Sequence, residues 1–100
     1  MPLPGHIAAA RPPAGQVTKV AEIAVSGTIN ISICNCGEAA GTFTLAIGSG
    51  ASPQPGDYLN FDTPISAKQH YERTALAVSA GEKVWFGSNN GLIDIRVHGF

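Results

Sequence analysis

The chain has 100 residues, 44% of them apolar and 13% charged, and a formal net charge of −1. That length makes one domain with one modest core, and a nearly neutral chain has no basic field with which to hold nucleic acid through counterion release. No apolar run approaches the about 20 residues that cross a bilayer, and the N-terminus MPLPGHIAAARPP lacks a basic segment followed by an uninterrupted apolar stretch. The expected place of synthesis is therefore a cytosol, with neither nucleic acid nor a membrane as partner. So few charges on so apolar a chain also point to a surface partly covered by neighbours.

Residues 1–16 carry four prolines (Pro2, Pro4, Pro12 and Pro13), two glycines and an alanine run. This composition predicts an extended arm that sustains neither a ladder nor a long helix, either frayed or ordered as a strap on a neighbouring subunit. Ile7 and Arg11, with the prolines, are the arm's candidate contact residues. The sandwich domain is expected over 17–100. A short strand is expected over 17–20.

From Glu22 to Asn35 the chain alternates strictly: Ile23, Val25, Gly27, Ile29, Ile31 and Ile33 on one side, small and polar residues on the other. A two-residue turn at Ser26-Gly27 would throw the later isoleucines outward, so the unbroken phase predicts one long strand bent at Gly27. Cys34 then lies on the second face and Cys36 in the turn Asn35-Cys36-Gly37. Such close cysteines rarely close an unstrained disulfide, and both are expected reduced. His6, His70 and His98 lie far off with no paired spacing, so no metal set is read.

Residues 41–47 alternate again, with Phe43, Leu45 and Ile47 on one face, and are expected to form a hairpin with the preceding strand. The segment GSGASPQPG over 48–56 reads as an exposed loop. A strand follows over 57–62 with Leu59 and Phe61 inward and Tyr58 and Asn60 outward. After a turn at 63–65, residues 69–78 are extended, Ser79-Ala80-Gly81-Glu82 turns, and strands over 83–88 and 92–97 flank Asn89-Asn90-Gly91 as a predicted hairpin.

About seven short strands with Gly, Pro and Asn turns predict an all-β fold, a single antiparallel β-sandwich of immunoglobulin-like or jelly-roll-like type. Trp85 sits between Val84 and Phe86, and alternation admits only one of these sets to the core. If the pair is inward, Trp85 is exposed beside Lys83 and near the Tyr58 face as an interface anchor; otherwise Trp85 is core and Val84 lies on the surface. Phe100 at the end of the tail either docks on a neighbour or caps the sandwich.

Catalytic chemistry finds little purchase. His70, Tyr71, Glu72 and Arg73 are consecutive, so a strand sends them alternately to opposite faces. No nucleophile elbow, phosphate loop or His/Glu metal motif occurs. No enzyme activity and no cofactor are expected.

The ordered segments Asn30-Ile31-Ser32-Ile33-Cys34-Asn35, Phe43-Thr44-Leu45-Ala46-Ile47, Asp57-Tyr58-Leu59-Asn60-Phe61-Asp62, Tyr71-Glu72-Arg73-Thr74, Leu76-Ala77-Val78-Ser79-Ala80-Gly81-Glu82-Lys83-Val84-Trp85 and Arg96-Val97-His98-Gly99-Phe100 resemble a group of small structural proteins of tailed bacteriophages. The resemblance covers residues 22–100 and leaves the arm outside. The chain departs from that pattern at Cys36, where a basic residue is more usual, and at Ala67-Lys68-Gln69-His70, where glycine is common. The resemblance implies a virion protein made in the host cytoplasm and present in repeated copies. The first expectation is a capsid decoration or cement protein whose partners are the major capsid protein and copies of itself, a trimer being one arrangement. The alternative is a tail fibre or baseplate structural or receptor- and glycan-binding module that uses Tyr58, Trp85 and the 48–56 loop.

Overall fold

The computed structural model describes residues 6–99, and in them the period-two alternation resolves into eight strands and no helix. These are β1 (His6–Ala10), β2 (Thr18–Glu22), β3 (Gly27–Asn35), β4 (Gly41–Gly48), β5 (Tyr58–Ile65), β6 (His70–Val78), β7 (Lys83–Ser88) and β8 (Ile93–Gly99). They form two four-stranded antiparallel sheets, ordered β1-β8-β3-β6 and β2-β7-β4-β5. The fold is an all-β sandwich.

Between the sheets lie Ile29, Ile31 and Ile33 of β3, Phe43 and Leu45 of β4, Val84 and Phe86 of β7, and Ile93, Ile95 and Val97 of β8, each at most 1% exposed. Burying each such side chain contributes roughly 1.5–3 kcal/mol. Phe43 links the layers aromatically, its ring centroid 5.9 Å from Phe86 and 5.4 Å from Tyr71.

Every connection between consecutive strands changes sheets except β4 to β5. This overturns two expectations. The strand over 41–47 is not a hairpin partner of the one before it: β3 pairs with β6 and β8, and β4 with β5 and β7. The last two strands do not form a hairpin either, because β7 and β8 face each other across the core. Asn89, Asn90 and Gly91 (φ +69° at Gly91) still reverse the chain. They carry it about 10 Å between sheets rather than about 4.8 Å to the neighbouring strand.

The long strand expected over residues 22–35 begins only at Gly27. β2 ends at Glu22 in one sheet and β3 begins at Gly27 in the other, so the crossing interrupts the alternation. Ile23 remains 2% exposed while Val25 is 42% exposed. Ile23 is held there by its N–H to Glu82 O at 2.7 Å and by Gly81 N–H to its carbonyl at 2.8 Å, and Gly81 takes φ +93° in that turn.

The start of the chain is also corrected. Residues 6–10 do sustain a ladder, pairing with β8 at the sheet edge. Residues 11–17 then cross to the other sheet, with Gly15 N–H bonded to Ser88 O at 2.8 Å. From residue 6 onward the expected arm is part of the sandwich, because β1 completes the hydrogen bonding of β8, which would otherwise be an edge.

The opposite edges are guarded by bulges. β5 shifts register against β4, and Asp62 there takes φ +46°; β6 shifts register against β3, and Ala75 takes φ +57°. Asn30 Oδ1 accepts the Ala75 N–H at 3.0 Å. Such bulges twist an edge away from foreign strands, and Pro64 adds a missing donor on β5.

Candidate functional site

The sheet register sets Lys19, Trp85, Ala46 and Tyr58 in one row on the outer face of the second sheet. Sequence reasoning placed Trp85 and Tyr58 on a common face, and they share it. The exposure expected of Trp85 does not hold. It is 4% exposed, and Val84 and Phe86 are buried as well. Alternation sorts side chains between faces, but an outer face can itself be covered, and the small side chain of Ala46 leaves room beside the indole. Trp85 is no interface anchor.

The β5 bulge rearranges the aromatic residues of the same face. Phe43 pairs with Thr63 and Leu45 with Asn60, so Phe61 and Asp62 together oppose Thr44, as the two residues of a bulge oppose one partner. Thr44 Oγ1 accepts the Asp62 N–H at 3.2 Å. A second register shift sets Tyr58 against Ala46 and Asn60 against Leu45, so that the inserted Leu59 reverses the phase and Phe61, expected inward, is 66% exposed. Its ring meets the 41% exposed Tyr58 edge to face, centroids 5.2 Å apart and planes at 87°. Asn60 turns inward, donating to Thr63 Oγ1 at 3.3 Å and to Tyr71 Oη at 3.4 Å. That bond from Asn60, with the nearby Arg73, holds the Tyr71 phenol below its usual range.

Beside the bulge lies a groove of about 170 Å³ lined by residues 15–17, 42–44, Asp62 and residues 87–89. It exists because Gly87 has no side chain and the crossing segment lies directly over it. A Cβ at Gly87 would stand 2.4 Å from Gln16 O. Among the described residues Asp62 is the one ionisable residue lining the groove, and it makes no salt bridge with any of them.

The outer face of the first sheet is charged and open. Arg11 pairs with Asp94 through Nε to Oδ1 and through Nη2 to Oδ2, the latter at 3.0 Å. The Arg11 bond holds the Asp94 carboxyl below the usual carboxylate range, and Asp94 raises the guanidinium in turn. Cys34 and Cys36 are free thiols at the surface, Sγ to Sγ 3.9 Å. The Cys36 thiol, bonded to Cys34 and 3.5 Å from Asp94 Oδ2, is pushed above its usual range chiefly by Cys34. His70 Nε2 stands 3.8 Å from Glu72 Oε1, with side chains 74% and 54% exposed. Solvent screens that pair, which lines an open concavity of about 320 Å³ on this face together with Ser32, Cys34, Asp94 and Arg96. Among the described residues no group of three or more His, Cys, Asp or Glu is placed to hold a metal ion, and no helix is long and apolar enough to cross a membrane.

The other residues singled out from sequence fall as follows. Pro2, Pro4 and Phe100 lie outside the described residues. Ile7 is half-buried against the core, Pro12 is buried and Pro13 exposed, so Ile7 and Pro12 serve this chain's own packing. Sequence reasoning missed Phe61, whose outward turn depends on the bulge, and Asn35. Asn35 is 0% exposed, its Nδ2 donating toward the carbonyls of Ala39 at 3.0 Å and of Ile65 and Ser66 at 3.2 Å, while its Oδ1 accepts Gly37 N–H at 3.0 Å. An inward parity for a polar residue at the end of an isoleucine strand was the available signal.

Comparison of the chain with protein-family models, with curated proteins and with solved structures finds no match.

Proposed function

We propose that the chain is a non-enzymatic structural protein of a tailed-bacteriophage virion, a capsid decoration (cement) protein present in many copies and bound to the major capsid protein. The observation that carries this reading is the ordered succession of motifs from residue 22 to residue 100. The sandwich is of jelly-roll rather than immunoglobulin type: the orders β1-β8-β3-β6 and β2-β7-β4-β5 are those of two wound Greek keys, an architecture that serves capsid and lectin domains alike. The contact surface proposed for the particle is the sandwich itself, because residues 6–10 are occupied within the chain's own sheet.

The test is to separate purified particles into heads and tails and count this polypeptide in each by quantitative mass spectrometry. Hundreds of copies in heads are expected. A small symmetric number in tails would replace decoration by the tail fibre or baseplate reading, and absence from both would overturn the virion assignment.

A further inference from the structure

We infer that the outer face of the second sheet carries a saccharide site, in which Phe61 stacks on the apolar face of a neutral pyranoside while the Asp62 carboxylate accepts hydrogen bonds from its hydroxyls. A pyranoside offers just these two kinds of surface, a face of C–H groups and a rim of hydroxyls. Phe61 supplies the first. At 66% exposure it is the most solvent-exposed large hydrophobic side chain among the described residues, and Tyr58 meets its ring edge to face at 5.2 Å, so a stacking partner meets a ring already supported on one side.

The groove beside it supplies the second. Asp62 lines it and no cation among the described residues pairs with its carboxylate, and Thr42, Thr44 and Asn89 border it as further polar residues. The volume of about 170 Å³ suits one ring rather than a polymer. Asp62 is also held in the left-handed region at φ +46° by the bulge. With Asp62 as the sole ionisable group lining the groove among the described residues, charge repels an acidic sugar and accepts a neutral one. The site does not depend on Trp85 or on the 48–56 loop, and it is independent of the virion assignment: particle counting and sugar titration can fail separately.

The experiment is an amide NMR titration of the full chain with methyl α-D-glucopyranoside, methyl α-D-mannopyranoside, methyl β-D-galactopyranoside and N-acetylglucosamine, each separately, with N-acetylneuraminic acid as the anionic probe. At least one neutral sugar is expected to shift Val17, Thr44, Asp62 and Gly87 saturably in the millimolar range. Phe61→Ala and Asp62→Asn, both at exposed positions and each retaining the wild-type spectrum elsewhere, are expected to weaken that binding by roughly tenfold or more. The proposal is overturned if no neutral sugar gives a saturable shift at roughly 100 mM, if the shifts fall outside the groove, if both variants bind as wild type, or if the anionic sugar binds as well as the neutral ones. It is equally overturned if the groove signals change with protein concentration alone, which would make the face a contact between copies.

Discussion

Arg11 and Asp94, 83 residues apart, close on each other across the outer face of the first sheet, Nη2 of the guanidinium 3.0 Å from Oδ2 of the carboxylate. The pair ties the segment leaving β1 to the start of β8. Arg11 thus has a partner within its own chain, where the composition of residues 1–16 had suggested a partner on a neighbour. Because Arg11 holds the Asp94 carboxyl below its usual range, the unfolded chain binds the proton more readily. The stability this contributes is present above the ordinary carboxylate pKa of about 3.9 and is lost as pH falls from there through the lowered folded value. Asp94→Asn should therefore be slightly less stable than wild type at pH 7, with the difference vanishing toward pH 2 in urea melts. A difference that grows on acidification would contradict the pair's role.

Asn35 closes off one end of the sandwich by bridging the loop after β3 to the turn between β5 and β6. Replacement by Ala strands buried carbonyls and the Gly37 N–H, and should cost about 3 kcal/mol in urea unfolding. Asn35→Asp should cost more, because a carboxylate cannot donate to the carbonyls of Ala39, Ile65 and Ser66.

Trp85, at 4% exposure, should emit at short wavelength in the isolated protein and resist iodide quenching, with no further blue shift on incorporation into particles. Trp85→Ala should lose about 3–5 kcal/mol of stability. A water-like emission spectrum from the folded protein would contradict the burial.

Gly87→Ala tests the crossing segment. The new Cβ would meet Gln16 O at 2.4 Å and Val17 Cα at 3.0 Å, backbone atoms that yield only if residues 15–17 lift from the sheet. A loss of about 1–3 kcal/mol is expected, with the largest NMR shifts at Gly15 to Val17. A neutral substitution would mean that the segment does not lie over Gly87.

Deleting residues 1–10 should destabilise the sandwich rather than leave it intact, because β8 loses its edge partner and Ile7, Ala8 and Ala10 leave the core they pack against. Concentration-dependent association through the uncovered β8 edge is expected by light scattering. A truncated chain with the wild-type unfolding midpoint would instead support a strap that acts only between subunits.

Several faces were legible without coordinates. Ile29, Ile31, Ile33, Phe43, Leu45, Ile93, Ile95 and Val97 alternate with polar residues and all point into the core. The two register shifts of β5 broke the same logic, since the first inserted residue reverses the parity and the second restores it, and nothing in Asp57-Tyr58-Leu59-Asn60-Phe61-Asp62 marks where the insertions fall. Trp85 broke it differently: parity assigned its face correctly, but the covering of that face depends on neighbours brought in from other strands.

The amino-acid sequence by itself determined that the chain is all-β, where most strands run and which side of each meets the core, because a period of two is a property of the strand alone. Tertiary structure decided which sheet each strand joins, and with that the placing of the groove between residues 15–17, Thr44, Asp62 and Gly87. In a sandwich both sheets turn the same apolar pattern toward one shared core, and a turn of Asn and Gly reverses the chain without stating its destination. Whether the next strand lies beside the last or opposite it is settled by the packing of all eight together.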